Sequence, residues 1–366
     1  MPRVSAWPTR AGLTLAAVGA IGVVATPASA AVNGVVAVTS STVIEYSAAT
    51  GRANNVVLTR SGTTITVDDT TSVKAGSGCA AVAGDKTKVR CTPKNKKAPT
   101  LVRVLLRDGN DSLINKSGLA MAVNGGSGND RITGGPRADY IDGGLGADAL
   151  WGVGGGDRLL GDSGNDALSG GDGNDTLSGG EQNDRLLGGN GMDRLSGDAG
   201  NDLENGGAGD DVFEQIVEES PKVTDADRFL GGAGRDEMLY IGRSRGIVAD
   251  ADGATGDDGY PGEHDSIGAD IEAIWGGNGN DRLLGTGRAD FLSGMSGNDT
   301  LLGYGGNDTL FGDTGADLIS GGAGDDSLYA SDGSKDRVDG GANATATGDT
   351  CQLDKLDISA SCERKQ

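Results

Sequence analysis

Aspartate returns at every ninth residue over a long glycine-rich stretch, and that spacing is the main chemistry the chain offers. Between Gly125 and Glu214 it occupies Asp130, Asp139, Asp148, Asp157, Asp166, Asp175, Asp184, Asp193, Asp202 and Asp211. A shorter series holds Asp281, Asp290, Asp299, Asp308, Asp317 and Asp326, and Asp227 and Asp236 lie between the two. Carboxylates set at the same corner of successive turns line up in rows, and bare rows of negative charge repel. Calcium accepts several carboxylate and backbone carbonyl oxygens at once, so these oxygen-rich loops ask for Ca2+ ions, several of them.

The elements that must position these carboxylates follow from the nine-residue unit itself. It opens as Gly125-Gly126-Ser127-Gly128-Asn129-Asp130-Arg131-Ile132-Thr133 and repeats without a gap to Glu214. Glycines at the start permit a tight turn through positive φ. Six loop residues and three extended ones then make a turn followed by a very short strand. Side chains alternate along a strand, so the apolar residue in the eighth place points inward while its two neighbours point out. Ile132, Ile141, Leu150, Leu195 and Phe213 hold that place, and Glu204 is the exception in this array. The second array opens at Gly276 and sets Leu283, Leu292, Leu301, Leu310, Ile319 and Leu328 behind its aspartates.

This unit resembles the glycine-rich nonapeptide of the RTX, or haemolysin-type, calcium-binding proteins, of the form Gly-Gly-x-Gly-x-Asp-x-U-x, which is tied to a parallel β-roll. The resemblance implies an all-β fold in which two nonapeptides make one turn. It also implies calcium between loops stacked on the same side, with pairs such as Asp130 with Asp148 and Asp139 with Asp157 supplying oxygens. The competing reading is a disordered Gly-Asp tract, but disorder does not hold an apolar residue in strict register. By the same stacking, the two arrays leave about a dozen same-side loop pairs as an upper guide to the ion count.

Around the arrays the chain divides by composition. Residues 1–30 read as a secretory signal peptide, with Arg3 and Arg10, an apolar run and Ala28-Ser29-Ala30 for cleavage; the run is too short to span a membrane. Residues 31–124 carry strand-like runs at 42–46, 55–59, 63–67 and 101–106, and suggest a small β-rich cap over the open end of the roll. Asp108-Gly109-Asn110-Asp111 reads as a degenerate first repeat, and Lys94 to Lys97 as a solvated turn. The arrays span 125–214 and 276–341; residues 215–275 hold the degenerate repeats and an acidic insert, with Glu218 to Lys222 as an exposed loop. The insert runs through Asp252-Gly253, Asp258-Gly259, Gly262-Glu263-His264-Asp265 and Asp270-Ile271-Glu272, and resembles an insert between repeat blocks in secreted bacterial members of the family. It reads either as a further calcium-ordered loop or as an acidic surface loop. Residues 342–366 lose the pattern and are expected to fold over the far end as a stapled cap. The four cysteines allow three pairings; the local ones are Cys79 with Cys91 and Cys351 with Cys362.

Charge excludes several functions. The net charge is −22, and it is uneven: residues 31–124 hold 12 basic and 6 acidic side chains, residues 125–366 hold 17 and 47. So acidic a chain is a poor partner for nucleic acid or an anionic membrane. Gly242-Arg243-Ser244-Arg245-Gly246 fits the Gly-x-Ser-x-Gly nucleophile pattern, but no helical segment follows it, and His264 is the only histidine. One histidine also rules out a His-Glu-x-x-His zinc site. No catalytic residue is assigned. The expectation is a secreted, extracellular calcium-binding protein that folds on its ions, structural or adhesive, with cell-envelope polymers or surface proteins as partners. The alternative is a hydrolase or toxin-like protein carrying RTX repeats.

Overall fold

The computed structural model describes residues 34–93, 97–215, 226–254, 256–343 and 348–365. The expected signal peptide, most of the Lys94–Lys97 turn and the Glu218–Lys222 loop lie outside them. Among the described residues there is no helix; short strands alternate with turns along the whole chain. The strands of the first array stack in parallel, each eighteen residues after its neighbour: Ile132 lies opposite Leu150, and Leu150 opposite Leu168. Odd and even repeats thus build two separate sheets, and two nonapeptides make one turn of a parallel β-roll. The eighth-place side chains of both sheets point inward into one continuous hydrophobic cluster, with Ile132, Ile141, Leu150, Leu159 and Leu195 fully buried.

The first sheet runs nearly the length of the molecule. It takes in Leu101–Leu105, Ala120–Ser127 and Tyr140–Leu145, crosses the insert through Glu237–Leu239 and Ala273–Trp275, and continues to Ser327–Tyr329. Its companion is interrupted. One facing sheet ends at Ser266–Ile267, paired to Arg228–Ala233, and another begins at Val248–Asp250, paired to Arg282–Leu284. The insert is where the change is made.

At the N-terminal end the chain enters the roll through sheet pairing. Val43–Ser47 runs parallel to Leu101–Leu105, and Asn55–Ser61 parallel to Ser112–Lys116. Antiparallel strands Thr64–Asp68, Asp85–Cys91 and Cys79–Val82 extend the second sheet beyond that point, and the Cys79–Cys91 disulfide ties the last two together. The far end differs from the expectation of a cap folded over it. Thr350–Gln352 pairs parallel with Ser327–Tyr329, and Ile358–Ala360 with Arg337–Ala342, so the tail adds further turns to the roll. The reason is local: Cys351 and Val338 fill the inward places that leucine fills elsewhere, and the Cys351–Cys362 disulfide holds the final turn.

Candidate metal centre

Each aspartate in the sixth place sits at the start of its strand, and its side chain turns back under the loop. There one carboxylate oxygen stitches the turns together. The Asp130 N–H donates to Asp148 Oδ1 at 2.7 Å, the Asp148 N–H to Asp166 Oδ1 at 2.7 Å and the Asp166 N–H to Asp184 Oδ1 at 2.7 Å. The other row repeats this through Asp139, Asp157, Asp175, Asp193 and Asp211. In the second array Asp281, Asp299 and Asp317 form one row and Asp290, Asp308 and Asp326 the other. Across the breaks the rows continue, since Asp202 donates to Asp227 and Asp211 to Asp236. The same-side pairs implied by the nonapeptide are therefore in direct contact.

The second oxygen is the informative one. At Asp130, Asp148, Asp157, Asp166, Asp175, Asp184, Asp193 and Asp211 the Oδ2 atom is buried and accepts no hydrogen bond. Asp236, Asp299, Asp308, Asp317 and Asp326 share that condition. Buried acceptors are ordinarily satisfied, so a regular series of unsatisfied ones marks a place where something positive belongs. What faces them is also regular. A Cβ on Gly152 would lie 2.1 Å from Asp157 Oδ2 and 2.7 Å from the Gly170 carbonyl oxygen; on Gly170 it would lie 2.2 Å from Asp175 Oδ2 and 2.7 Å from the Gly188 oxygen. Carboxylate and carbonyl oxygens thus converge on the glycine that opens each unit, in a space that only glycine leaves clear. Oxygen donors of this kind, carboxylate and peptide carbonyl together, are those calcium takes.

Burial of these carboxyls disfavours their charge and pushes their pKa values up. Asp139, Asp148, Asp166 and Asp193 rise to about 6, Asp130, Asp157 and Asp211 to about 7, and Asp184 to about 8. Asp227, buried and with Asp265 beside it, is pushed up to about 10. A bound cation would reverse that trend by stabilising the ionised form.

At four of the expected aspartates the second oxygen also accepts a hydrogen bond. Asp139 Oδ2 accepts from the Gly135 N–H, Asp281 Oδ2 from the Gly277 N–H, Asp290 Oδ2 from the Thr286 N–H, and Asp227 Oδ2 from Gln215 Nε2. The loops before Asp139 and Asp290 carry arginine in the fourth place, Arg137 and Arg288, where the repeat has glycine. Other carboxylates join the rows without the full glycine run. Asp111 accepts from Asn54 and donates to Asp130; Asp349 accepts from Asp326, and Asp336 from Asp317. Asp265 and Glu272 of the insert accept from Asp227 and Asp236. Their signal in the sequence is an acidic residue two before a buried one, as in Asp349-Thr350-Cys351, without the glycine run.

Among its described residues the insert is more than a surface loop. Asp258, Glu263 and Asp265 are buried. Asp258 bridges the two interrupted sheets, accepting from the Asp250 N–H through Oδ1 and from the Ile267 N–H through Oδ2. Arg243 is 1% exposed; it pairs with Glu263 at 2.9 Å and donates to both the backbone and side-chain oxygens of Gln215, between the rings of Tyr240 and Tyr260. Ser244 lies exposed in the turn that follows, and His264 is exposed with its Nδ1 3.2 Å from the Gly256 oxygen.

Comparison with protein families agrees with this geometry. The model of the RTX calcium-binding nonapeptide repeat (4 copies) matches residues 124–159, 151–186 and 187–214 in the first array, and 275–310, 302–334 and 311–344 in the second. No curated protein matches the chain. Both arrays thus consist of RTX calcium-binding nonapeptide repeats, with their aspartates in parallel rows.

Proposed function

We propose that this is a secreted, extracellular protein whose roll folds as calcium fills the space between stacked loops, and that it acts without catalysis as a structural or adhesive body. The observation that carries the reading is the series of buried Oδ2 atoms that accept nothing and face the carbonyl of the glycine two units on. In this reading Asp157 Oδ2 and the Gly170 carbonyl are ligands of one ion, and Asp175 Oδ2 and the Gly188 carbonyl of the next on that side. The rows of carboxyls bring the unloaded chain little stability, and each turn buries a single large apolar side chain per strand. Ligands assembled only in the folded state make metal binding and folding one process. The leader-like first thirty residues and the two disulfides support an oxidising, extracellular setting. Extracellular calcium modules bind in the range of roughly 0.1–1 mM, which keeps such a chain unfolded inside the cell and folds it outside.

Far-ultraviolet circular dichroism of the chelated protein, titrated with calcium and separately with magnesium, tests this. A coil-to-β transition with calcium alone is expected, and replacing Asp166 and Asp184 together with alanine should move its midpoint upward. An unchanged midpoint would show that the ions lie elsewhere.

A further inference from the structure

One outer face of the roll presents arginines and apolar side chains where its strands point to solvent. It is the outside of the second sheet, between Arg131–Thr133 and Arg228–Ala233, where the first and third residues of each strand point to solvent. No outward place in the opening triplets of these strands is acidic, although the whole chain carries a net charge of −22. Arg131, Arg185 and Arg228 stand in one column, exposed and, among the described residues, in no salt bridge. In the adjacent column strand register places Trp151, Ser169, Leu187, Asn205 and Leu230 in order. Trp151 is 40% exposed and Leu187 46%. A hollow of about 270 Å³ follows this column, with Ser169 and Asn205 set between the larger Trp151, Leu187 and Leu230.

We propose that this face docks an acidic amphipathic helix of a partner protein, laid along the axis of the roll; the proposal rests on the calcium-folded roll described above. Spacing selects a helix. Trp151 and Leu187 are two strands apart, as are Leu187 and Leu230, which sets the knobs roughly 9.6 Å apart. Residues i and i+7 of a helix rise by about 10.5 Å, so apolar side chains at that spacing drop into the hollows at Ser169 and Asn205. Alternate side chains of an extended strand repeat at about 6.8 Å and fall out of step. Charge selects an acidic partner, with carboxylates beside the apolar stripe meeting Arg185 and Arg228, themselves two strands apart. It also disfavours a second copy applied through the same face, which sets arginine against arginine. From Trp151 to Leu230 the site takes a helix of about 13 residues.

The test uses the calcium-loaded protein and a fluorescent synthetic amphipathic peptide with leucine at seven-residue spacing flanked by glutamate. A control peptide carries lysine in place of glutamate. Fluorescence anisotropy should show the glutamate peptide binding at least about tenfold more tightly than the lysine peptide. Arg185→Glu with Arg228→Glu should reverse that preference, and Ser169→Trp, which fills the hollow, should abolish binding of both. Each variant is first checked for an unaltered calcium transition by circular dichroism. Equal binding of the two peptides, no binding by a folded roll, or insensitivity to Ser169→Trp overturns the assignment. So does capture of the protein by phosphatidylglycerol vesicles, or dimerisation in sedimentation, if either is lost in the double arginine variant while the peptide is ignored. A chain that calcium leaves without β structure overturns the calcium-folded reading as well, whereas a folded roll that ignores the peptide overturns the docking face alone.

Discussion

Glu204 shows how much one inward place can decide. It stands in the apolar ladder between Leu186 and Phe229, fully buried, with Oε1 accepting from the Gly197 N–H at 2.8 Å and Oε2 accepting from nothing. Burial drives its pKa well above the ordinary carboxyl range. An unsatisfied buried acceptor costs about 1–3 kcal/mol, more than the one hydrogen bond returns. Glu204→Leu should therefore raise the stability of the calcium-loaded protein by about 1–2 kcal/mol in urea unfolding; a loss instead would mean that the carboxyl holds a ligand. The rows of aspartates invite a second contrast. Asp157 keeps a buried oxygen free for an ion, while both oxygens of Asp139 are taken by the Met121 and Gly135 N–H groups. Calorimetric titration of Asp157→Ala should show fewer calcium ions bound. Asp139→Ala should bind the same number and lose stability alike with and without calcium, and equal stoichiometric losses in the two would contradict the distinction.

At the scale of elements, the insert is the hinge on which the roll changes companions. The first sheet passes it unbroken, while one facing sheet stops at Ile267 and another starts at Val248. Isolated backbone bridges carry the change, Val248 with Gly259 and Asp258 with Asp265, and buried side chains reinforce it: the Asp258 carboxylate ties the two sheets, and the Arg243 guanidinium fills the interior beside Glu263. A buried pair broken by removing one partner strands the other charge, at a cost of about 3–5 kcal/mol. Arg243→Met should thus destabilise the loaded protein by about that amount in urea unfolding, and Arg243→Met with Glu263→Gln by less; additive losses would show that the two do not act as a pair. Much of this architecture was legible in the sequence, because every nonapeptide repeats the same glycine, aspartate and apolar places and the stacking simply follows their period. What was not legible lies where the period fails. Arg243 sat inside a nucleophile-like motif that gave no sign of a structural role. Asp265, Glu272 and Asp349 lack the glycine run, since their loops are held by other contacts. The switch of facing sheets depends on long-range pairing that no local pattern announces.

In the proposed reading, protons and calcium compete for the same carboxyls along the whole molecule. In the unfolded chain an aspartate releases its proton near pH 3.9. In the metal-free roll burial holds that proton to about 6 at Asp148 and Asp166, about 7 at Asp157, Asp299, Asp308 and Asp317, and about 8 at Asp184. Between those values the folded state binds more protons than the unfolded one, so stability falls as pH rises. The contribution is fully present below about pH 4 and is spent by about pH 8. Calcium reverses the sign, because it binds the ionised form and must displace the protons the roll retains. Raising pH through the same window weakens the metal-free fold and strengthens the hold on calcium. Circular dichroism without calcium should show more β structure near pH 5 than at pH 8, and the calcium midpoint should fall steadily over that interval. Calcium binding in weak buffer at pH 6 should release protons, with far fewer released at pH 8.5. A midpoint that does not move between pH 5 and 8 would mean that these carboxyls are ionised before the ion arrives, and that calcium binds a roll already open to water.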